Sequence, residues 1–265
     1  MLNLVDTTSG TVFDTVEDDE VVLDVTREGA GDPLLLLHGV EGVAADALFI
    51  DRLAENFSVH APSHPGFDLS PRPEWCDSVE DLAYLYLNWL RRQDKPVTVV
   101  GLQFGGWIAA EMAVREPQLF RHLVLVDSVG IRVSAPDVRD IADVFALPRE
   151  DVEHRTFATE EARNGDLSTL DPLVVERIAR NEEALALYGW DPYLHNPRLR
   201  RWLSRITAPT LILWGEQDGI VTPDYGRMFA DALGKADLEL ISDAGHAAQV
   251  DQPDRVAELI RAFAV

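Results

Sequence analysis

The stretch from Val99 to Trp107 places one polar side chain, Gln103, at a turn bracketed by glycines. An apolar run typical of a buried strand precedes the turn, and residues typical of a helix follow it. Glycine neighbours let a strand and a helix approach closely around a residue in a strained backbone region. The carboxamide of Gln103 is not a nucleophile at ordinary pH, because its nitrogen lone pair is delocalised into the carbonyl group. Gln103 can therefore orient water or a carbonyl group by hydrogen bonds, but it cannot form a covalent acyl intermediate.

The pattern Gly101-Leu102-Gln103-Phe104-Gly105 resembles the nucleophile elbow of the α/β-hydrolase family, whose central residue is normally Ser. Upstream, an apolar run ends in His38-Gly39-Val40-Glu41-Gly42, which resembles the family's His-Gly-x-x-Gly loop. The resemblance implies that the backbone amides of Val40 and Phe104 form an oxyanion hole. Taken alone, this loop is equally typical of a glycine-rich connection between a strand and a helix.

Two later segments resemble the remaining catalytic loops of the family. Gly215–Pro223 resembles its acid loop and implies Asp218 as the acid, whereas Asp243–His246 resembles its histidine loop and implies His246 as the base. The order turn, acid, histidine is the order that this fold uses. In such a site the acid fixes the histidine tautomer and stabilises the imidazolium. Here His246 has no hydroxyl group at position 103 to deprotonate.

Several functions are compatible with this combination. The first is an enzyme in which the Asp218–His246 dyad acts as a general base on water, hydrolysing an ester, a lactone, another small acyl substrate or a C–C bond. The same dyad could serve a non-hydrolytic, cofactor-free lyase or oxygenase. A second reading is a binding protein that keeps the hydrolase fold without turnover. A third is a serine hydrolase that has been engineered at the turn.

Other side chains are candidates for contacts with a substrate. Ser128 follows an apolar strand together with Asp127, so both are expected beside the turn, where ligands of open α/β sheets bind. Ser128 is also a minor candidate for a replacement nucleophile. Aromatic residues of the segment 131–205 could line an apolar pocket or form a small core of their own. The predicted substrate-binding residues are His38, Gly39, Trp107, Ser128, Trp190 and Tyr193. His64 is expected to be structural.

Apolar runs bounded by turn residues predict the elements that position these groups. Strands are predicted at Thr11–Phe13, Val21–Val25, Pro33–Leu37, Ser58–Ala61, Val97–Val100, Leu123–Val126, Thr210–Trp214 and Leu238–Ile241. The first two form a hairpin across the turn 17–20. Helices are predicted after the capping box Ser78–Asp81, at Gly105–Arg115, and from Pro253 onward.

The predicted fold is a mostly parallel, eight-stranded α/β-hydrolase sheet flanked by helices. Residues 1–130 and 206–265 form the core, and the resemblance spans about residues 21–263. No strands are predicted between residues 131 and 205. In the family, an insertion at this point is a helical cap, and amphipathic helices are predicted in the 140s and in the 170s.

Composition limits the partners. The 265 residues carry a net charge of −23, which opposes binding to nucleic acid or to anionic membranes. Arginine predominates over lysine, which suggests a bacterial source. A single cysteine, Cys76, excludes an intramolecular disulfide, and no residue spacing resembles a metal-ligand set. We expect a cytoplasmic enzyme with a small-molecule substrate and no cofactor or metal. There is no evident signal peptide or membrane span, and a homodimer is left open.

Overall fold

The computed structural model describes residues 11–16, 19–135 and 137–265. Its strands are β1 (Thr11–Val16), β2 (Asp19–Leu23), β3 (Val25–Glu28), β4 (Asp32–Leu37), β5 (Phe57–Pro62), β6 (Val97–Leu102), β7 (Phe120–Val126), β8 (Thr210–Gly215) and β9 (Ala236–Ile241). Strands β3 to β9 form one sheet in the order β3-β5-β4-β6-β7-β8-β9. Strand β3 is antiparallel to β5, and the other pairs are parallel. The predicted mostly parallel sheet is therefore confirmed.

Helices cover both faces of this sheet. They are α1 (Ala47–Ala54), α2 (Val79–Arg91), α3 (Phe104–Arg115), α4 (Arg149–Thr156), α5 (Pro172–Gly189), α6 (Pro223–Leu233), α7 (Ala248–Asp251) and α8 (Pro253–Ala264). Helices α2, α3 and α6 contribute to the core on one face, and α1 and α8 contribute to the core on the other. Every residue of the central strand β6 is buried, as expected for a parallel strand covered on both sides.

The capping box predicted before α2 is present. The amide of Asp81 donates to the Ser78 hydroxyl over 3.2 Å, and the amide of Ser78 donates to the Asp81 carboxylate over 3.1 Å. Two of the unpaired amides at the helix start are thereby satisfied. None of the described helices is both long enough and apolar enough to cross a membrane.

The beginning of the chain differs in detail from the prediction. In the described residues the main sheet has seven strands rather than eight, because β1 pairs only with β2. The predicted strand Val21–Val25 is divided at Asp24, whose amide donates to the Ser70 hydroxyl and whose carbonyl accepts from Ser63. The chain leaves the hairpin at this point and joins the main sheet. Residues 17 and 18 of the predicted turn lie outside the described residues.

The segment 131–205, called the cap segment below, contains α4 and α5. The helix predicted in the 170s is confirmed as α5, whereas the one predicted in the 140s is wrong, since α4 begins only at Arg149. Around residue 140 the backbone is instead bonded to the core: Ile141 bridges Val221, and the amide of Ala142 donates to the Ile220 carbonyl over 2.8 Å. These bonds hold the chain extended and leave its amides unavailable for a helix.

Candidate active site

Asp218 and His246 are in direct contact. The imidazole Nδ1 of His246 donates to Oδ2 of Asp218 over 2.8 Å. The other carboxylate oxygen, Oδ1, accepts from the amides of Ile220 and Val221 over 2.9 and 2.8 Å. Because both oxygens of Asp218 accept hydrogen bonds, the carboxylate cannot rotate freely. The arrangement places the proton of a neutral His246 on Nδ1 and leaves Nε2 as the basic nitrogen.

The environment of His246 favours proton uptake. Both side chains are almost fully buried, with exposed fractions of 6% for His246 and 5% for Asp218. Burial opposes a charged imidazole, but the charge and hydrogen bond of Asp218, together with the charges of Asp127 and Glu41, outweigh it, so the pKa of His246 is raised. Among the described residues, no protein group hydrogen-bonds Nε2. A basic nitrogen is thus oriented by its carboxylate and has no protein partner among the described residues.

Gln103 occupies the turn between β6 and α3. Its backbone is left-handed, with φ 48° and ψ −108°, a conformation that costs a non-glycine residue about 1–3 kcal/mol. The turn is held by the amide of Gln103, which donates to the Val126 carbonyl over 2.8 Å. A Cβ at Gly105 would lie 2.1 Å from the Leu37 carbonyl oxygen. Only glycine at that position allows α3 to start so close to the end of β4.

The Gln103 carboxamide spans the space between the turn and the histidine loop. Its Nε2 donates to the backbone carbonyl of His246 over 2.9 Å, which fixes which end of the amide is nitrogen. Its Oε1 is buried and has no donor among the described residues. This oxygen lies against Gly39, 1.6 Å from the point that a Cβ there would occupy. The Gln103 side chain is thus anchored to the main chain of His246 and makes no hydrogen bond to its imidazole.

The amides of Val40 and Phe104 are both without an acceptor in the described part of the chain. Phe104 is the first residue of α3, where a helix leaves its amides unpaired. Val40 follows Gly39, which borders the Gln103 carboxamide. The amide expected from each loop therefore has no acceptor among the described residues.

The cap segment closes over these loops. The end of α4 supplies two backbone acceptors: the Arg155 carbonyl accepts from Gly219 over 3.0 Å, and the Thr156 carbonyl accepts from Ala247 over 3.2 Å. One bond reaches the acid loop and the other reaches the histidine loop. Helix α4 therefore holds the two loops together and contributes to the burial of the Asp218–His246 pair.

Comparison with known proteins identifies the family. Residues 32–253 match the family model described as the alpha/beta hydrolase fold. The chain belongs to this family. It is 28% identical over 267 residues to 2-hydroxymuconate semialdehyde hydrolase of Pseudomonas sp. (strain CF600), covering 89% of this chain and 87% of the relative. It is 28% identical over 251 residues to a pimeloyl-[acyl-carrier protein] methyl ester esterase of Photobacterium profundum, covering 89% and 96%.

Solved structures agree on the fold. A crystal structure of a membrane phospholipase A, a bacterial virulence factor, has a TM-score of 0.76 and 23% sequence identity. The match covers 94% of this chain and 83% of that chain. Family membership and the names of the relatives together support an enzyme of the hydrolase class.

Two acidic residues of this α/β hydrolase were not among the predicted site residues. Glu41 stands inside the predicted oxyanion loop, and its Oε2 is sealed from solvent without a donor among the described residues. Burial raises the pKa of Glu41, although its own backbone amide, His246 and Gln103 act to lower it. The loop motif was visible in the sequence, but its fourth residue carried no catalytic signal of its own.

The second is Asp127, at the end of β7. Its two carboxyl oxygens accept from the amides of Gly215 and Ala248 over 2.7 and 3.0 Å. Asp127 thereby joins the start of the acid loop to the helix after His246. Burial, followed by the charge of Asp218, raises its pKa well above the ordinary value. Its position at the end of a strand beside the turn could have identified it from the sequence. Its contacts indicate that Asp127 positions the acid loop and the helix after His246.

Of the predicted substrate-binding residues, Gly39 borders Gln103, but His38 is fully buried behind the loop. The amide of His64 donates to Nε2 of His38 over 2.9 Å, so the proton of His38 is on Nδ1, which donates to the Gly39 carbonyl. The His64 ring bonds the Tyr86 hydroxyl over 2.6 Å and the His38 carbonyl over 3.2 Å. Both rings are occupied by protein partners, as expected for His64 and unlike the role predicted for His38.

Trp107 and Ser128 are also buried. The Trp107 indole donates to Glu111 over 3.3 Å, and its ring packs against Gly130. The Ser128 hydroxyl donates to the Val129 carbonyl over 3.3 Å and lies beneath the first turn of α3. Both side chains support the turn, and the hydroxyl of Ser128 is directed at a main-chain oxygen.

Trp190 and Tyr193 lie elsewhere, in a groove of about 610 Å³ on the cap segment. Trp190 is 64% exposed and packs on Phe145, and the Tyr193 hydroxyl donates to the Ala142 carbonyl over 2.6 Å. Neither Gln103 nor His246 lines this groove. The structure therefore does not bring these two aromatic residues together with the Asp218–His246 pair. In the described ranges no cluster of His, Cys, Asp or Glu side chains could hold a metal ion.

Proposed function

We propose that this α/β hydrolase cleaves a small acyl substrate by direct attack of water, with the His246–Asp218 dyad as the general base. Candidate substrates are an ester, a lactone or a compound cleaved at a C–C bond. The observation that carries the proposal is the imidazole of His246, which is oriented by Asp218 and has no protein partner at Nε2 among the described residues. Relatives named for hydrolysis of a semialdehyde and of a methyl ester support substrates of this size and chemistry.

In the proposed reaction, Nε2 of His246 removes a proton from water while the water oxygen attacks the substrate carbonyl carbon. Oε1 of Gln103 has an unused lone pair with which to hold the reacting groups. The amides of Val40 and Phe104 stabilise the negative charge that develops on the carbonyl oxygen. The imidazolium then returns its proton to the leaving group. No covalent intermediate forms at position 103, because a carboxamide does not attack.

The proposal is tested with a panel of small esters, thioesters, lactones and vinylogous ketones, with the parent protein and His246→Ala. General-base catalysis contributes about 10²–10⁴-fold, so we expect His246→Ala to lower kcat/KM by at least about 10²-fold. His154→Ala is the matched control, because His154 is an exposed histidine of α4. Turnover that survives in His246→Ala would contradict the proposal. Thermal stabilisation by panel compounds without turnover would favour a binding protein instead.

A further inference from the structure

Asp68 contacts both the end of the predicted oxyanion loop, residues 38–42, and helix α5 of the cap segment. Its side chain is buried, and a buried carboxyl group is unfavourable unless hydrogen-bond donors surround it. Oδ2 of Asp68 accepts from the amide of Val43 over 3.2 Å and from the hydroxyl of Ser63 over 2.9 Å. The bond from Val43 fixes the chain at the residue that directly follows the loop.

The contact with α5 is made by Asn181, which is also buried. The amide of Asp68 donates to Oδ1 of Asn181 over 2.6 Å, and Nδ2 of Asn181 donates to Oδ1 of Asp68 over 3.4 Å. The first bond fixes which end of the Asn181 side chain is nitrogen. Two residues 113 positions apart in the chain therefore form a reciprocal pair that joins the cap segment to the loop.

The backbone of Asp68 is left-handed, with φ 46°. Such a conformation costs a residue other than glycine about 1–3 kcal/mol and persists only where surrounding contacts over-determine it. Here those contacts are the bonds to Val43, Ser63 and Asn181. Glycine would adopt the same backbone without strain, but it would lack the carboxyl group that the loop and α5 share.

The loop backbone lies directly against this pair at Gly42. A Cβ there would be 2.4 Å from Oδ1 of Asp68 and 2.7 Å from Nδ2 of Asn181, and the φ of Gly42 is +81°. The amide of Gly42 donates in turn to the Gly39 carbonyl over 3.4 Å, which closes a turn around Val40. The place of the Val40 amide thus depends on a turn that rests on Asp68 and Asn181.

We propose that Asp68 is a positioning residue of this site, through which helix α5 holds the Val40 amide where negative charge develops during the reaction. This inference rests on the proposed hydrolytic function. Stabilisation of an oxyanion requires donors that are already in place, and a displacement of about 1 Å can lower a rate about 10²-fold. Because Asp68 acts through the loop, its contribution falls on kcat rather than on KM.

The first test removes the carboxyl group with Asp68→Gly, which should fold because glycine tolerates the left-handed backbone. We expect kcat to fall about 10–10²-fold with little change in KM, as for an interaction made only in the transition state. Asp68→Asn keeps an oxygen for the amide of Val43 and should recover most of kcat. A parental kcat in Asp68→Gly, or an Asp68→Asn variant no better than Asp68→Gly, overturns the proposal.

The link to α5 is tested with Asn181→Ala by hydrogen exchange and mass spectrometry, a measurement that needs no turnover. The backbone amides of residues 39–43 should exchange faster than in the parent, because the loop loses its support from the cap segment. Asp68→Gly should give the same result. Strand β6 is the internal reference for a general loss of stability, and its exchange should change much less. Glu183→Ala, at an exposed position of α5, is the matched control and should resemble the parent.

The outcomes separate this proposal from the hydrolytic function. Unchanged exchange at residues 39–43, or a rise that is equally large in β6, overturns the role of Asp68 and Asn181 while the role of His246 stands. If His246→Ala keeps turnover, the general-base proposal fails instead, and hydrogen exchange still reports whether α5 supports the loop.

Discussion

Replacing Asp218 with Asn tests the orientation of the imidazole. The amides of Ile220 and Val221 both donate to Oδ1, so the asparagine must place its own oxygen there. Its NH₂ group then faces Nδ1 of His246, which is 2.8 Å from the carboxylate in the parent. Two donors cannot pair, so His246 must accept at Nδ1 and carry its proton on Nε2. The basic nitrogen is lost although no side chain has moved.

We expect kcat of Asp218→Asn to fall by about 10⁴-fold, the effect of the wrong histidine tautomer in a triad. This corresponds to about 5 kcal/mol of transition-state stabilisation. Stability should change less, because the hydrogen bonds to Asp218 weaken rather than disappear. Bonds to a charged acceptor contribute about 1.5–3 kcal/mol and neutral ones about 0.5–1.5, so we expect a loss of about 1–3 kcal/mol.

The assay measures kcat on the best substrate of the panel, with the histidine tautomer followed by ¹⁵N NMR of the imidazole. Glu216→Gln, a change at an exposed residue of the same loop, controls for replacing a carboxylate with an amide and should keep parental values. An Asp218→Asn variant that retains kcat within about tenfold, or whose His246 still carries its proton on Nδ1, would refute the reasoning.

Three further predictions follow from individual contacts. Gln103→Ser should create esterase activity with a burst of acyl-enzyme, because it restores a hydroxyl near His246; stopped-flow kinetics without a burst would contradict this. Asp46→Asn should stabilise the protein by about 1 kcal/mol at neutral pH, because burial raises the pKa of Asp46 and the new NH₂ can donate to the unpaired Oε1 of Gln249. Because its pKa is raised, ionised Asp46 opposes folding only above the ordinary pKa of aspartate. The thermal midpoints of parent and variant should therefore converge below about pH 4, and a stability gain that persists there would contradict the argument. Gly105→Ala should destabilise by about 3 kcal/mol in urea unfolding, because its Cβ would lie 2.1 Å from the main-chain oxygen of Leu37; a parental midpoint would show that the turn can relax.

Much of the framework was predictable because it depends on local patterns. Apolar runs marked the strands of the main sheet, and the glycines around Gln103 marked a turn at which a helix begins. The loops that contain Asp218 and His246 each follow a strand of this sheet, so their convergence at one edge follows from the fold. The helix predicted in the 140s begins only at Arg149, because contacts of residues 141 and 142 with Ile220 and Val221, distant in the sequence, override local helical preference.

Side-chain directions could not be predicted in the same way. His38 was expected to face a substrate, yet it is fully buried and stacks on His64. Glu41 of the same loop was not among the predicted site residues, yet it interacts with Gln103 and His246. Trp190 and Tyr193 were expected near the catalytic pair but line a separate groove with Phe145. Aromatic composition alone does not distinguish these surfaces.

The sequence by itself determined the sheet, the order of the loops, and the absence of a nucleophile at position 103, since these depend on residue type and short-range spacing. Only the tertiary structure decided that the Gln103 amide bonds the His246 carbonyl and that the Glu41 side chain interacts with Gln103. The reason is physical: a buried polar group must find a partner among atoms that packing brings together from distant parts of the chain, and the identity of that partner is not encoded in any local pattern.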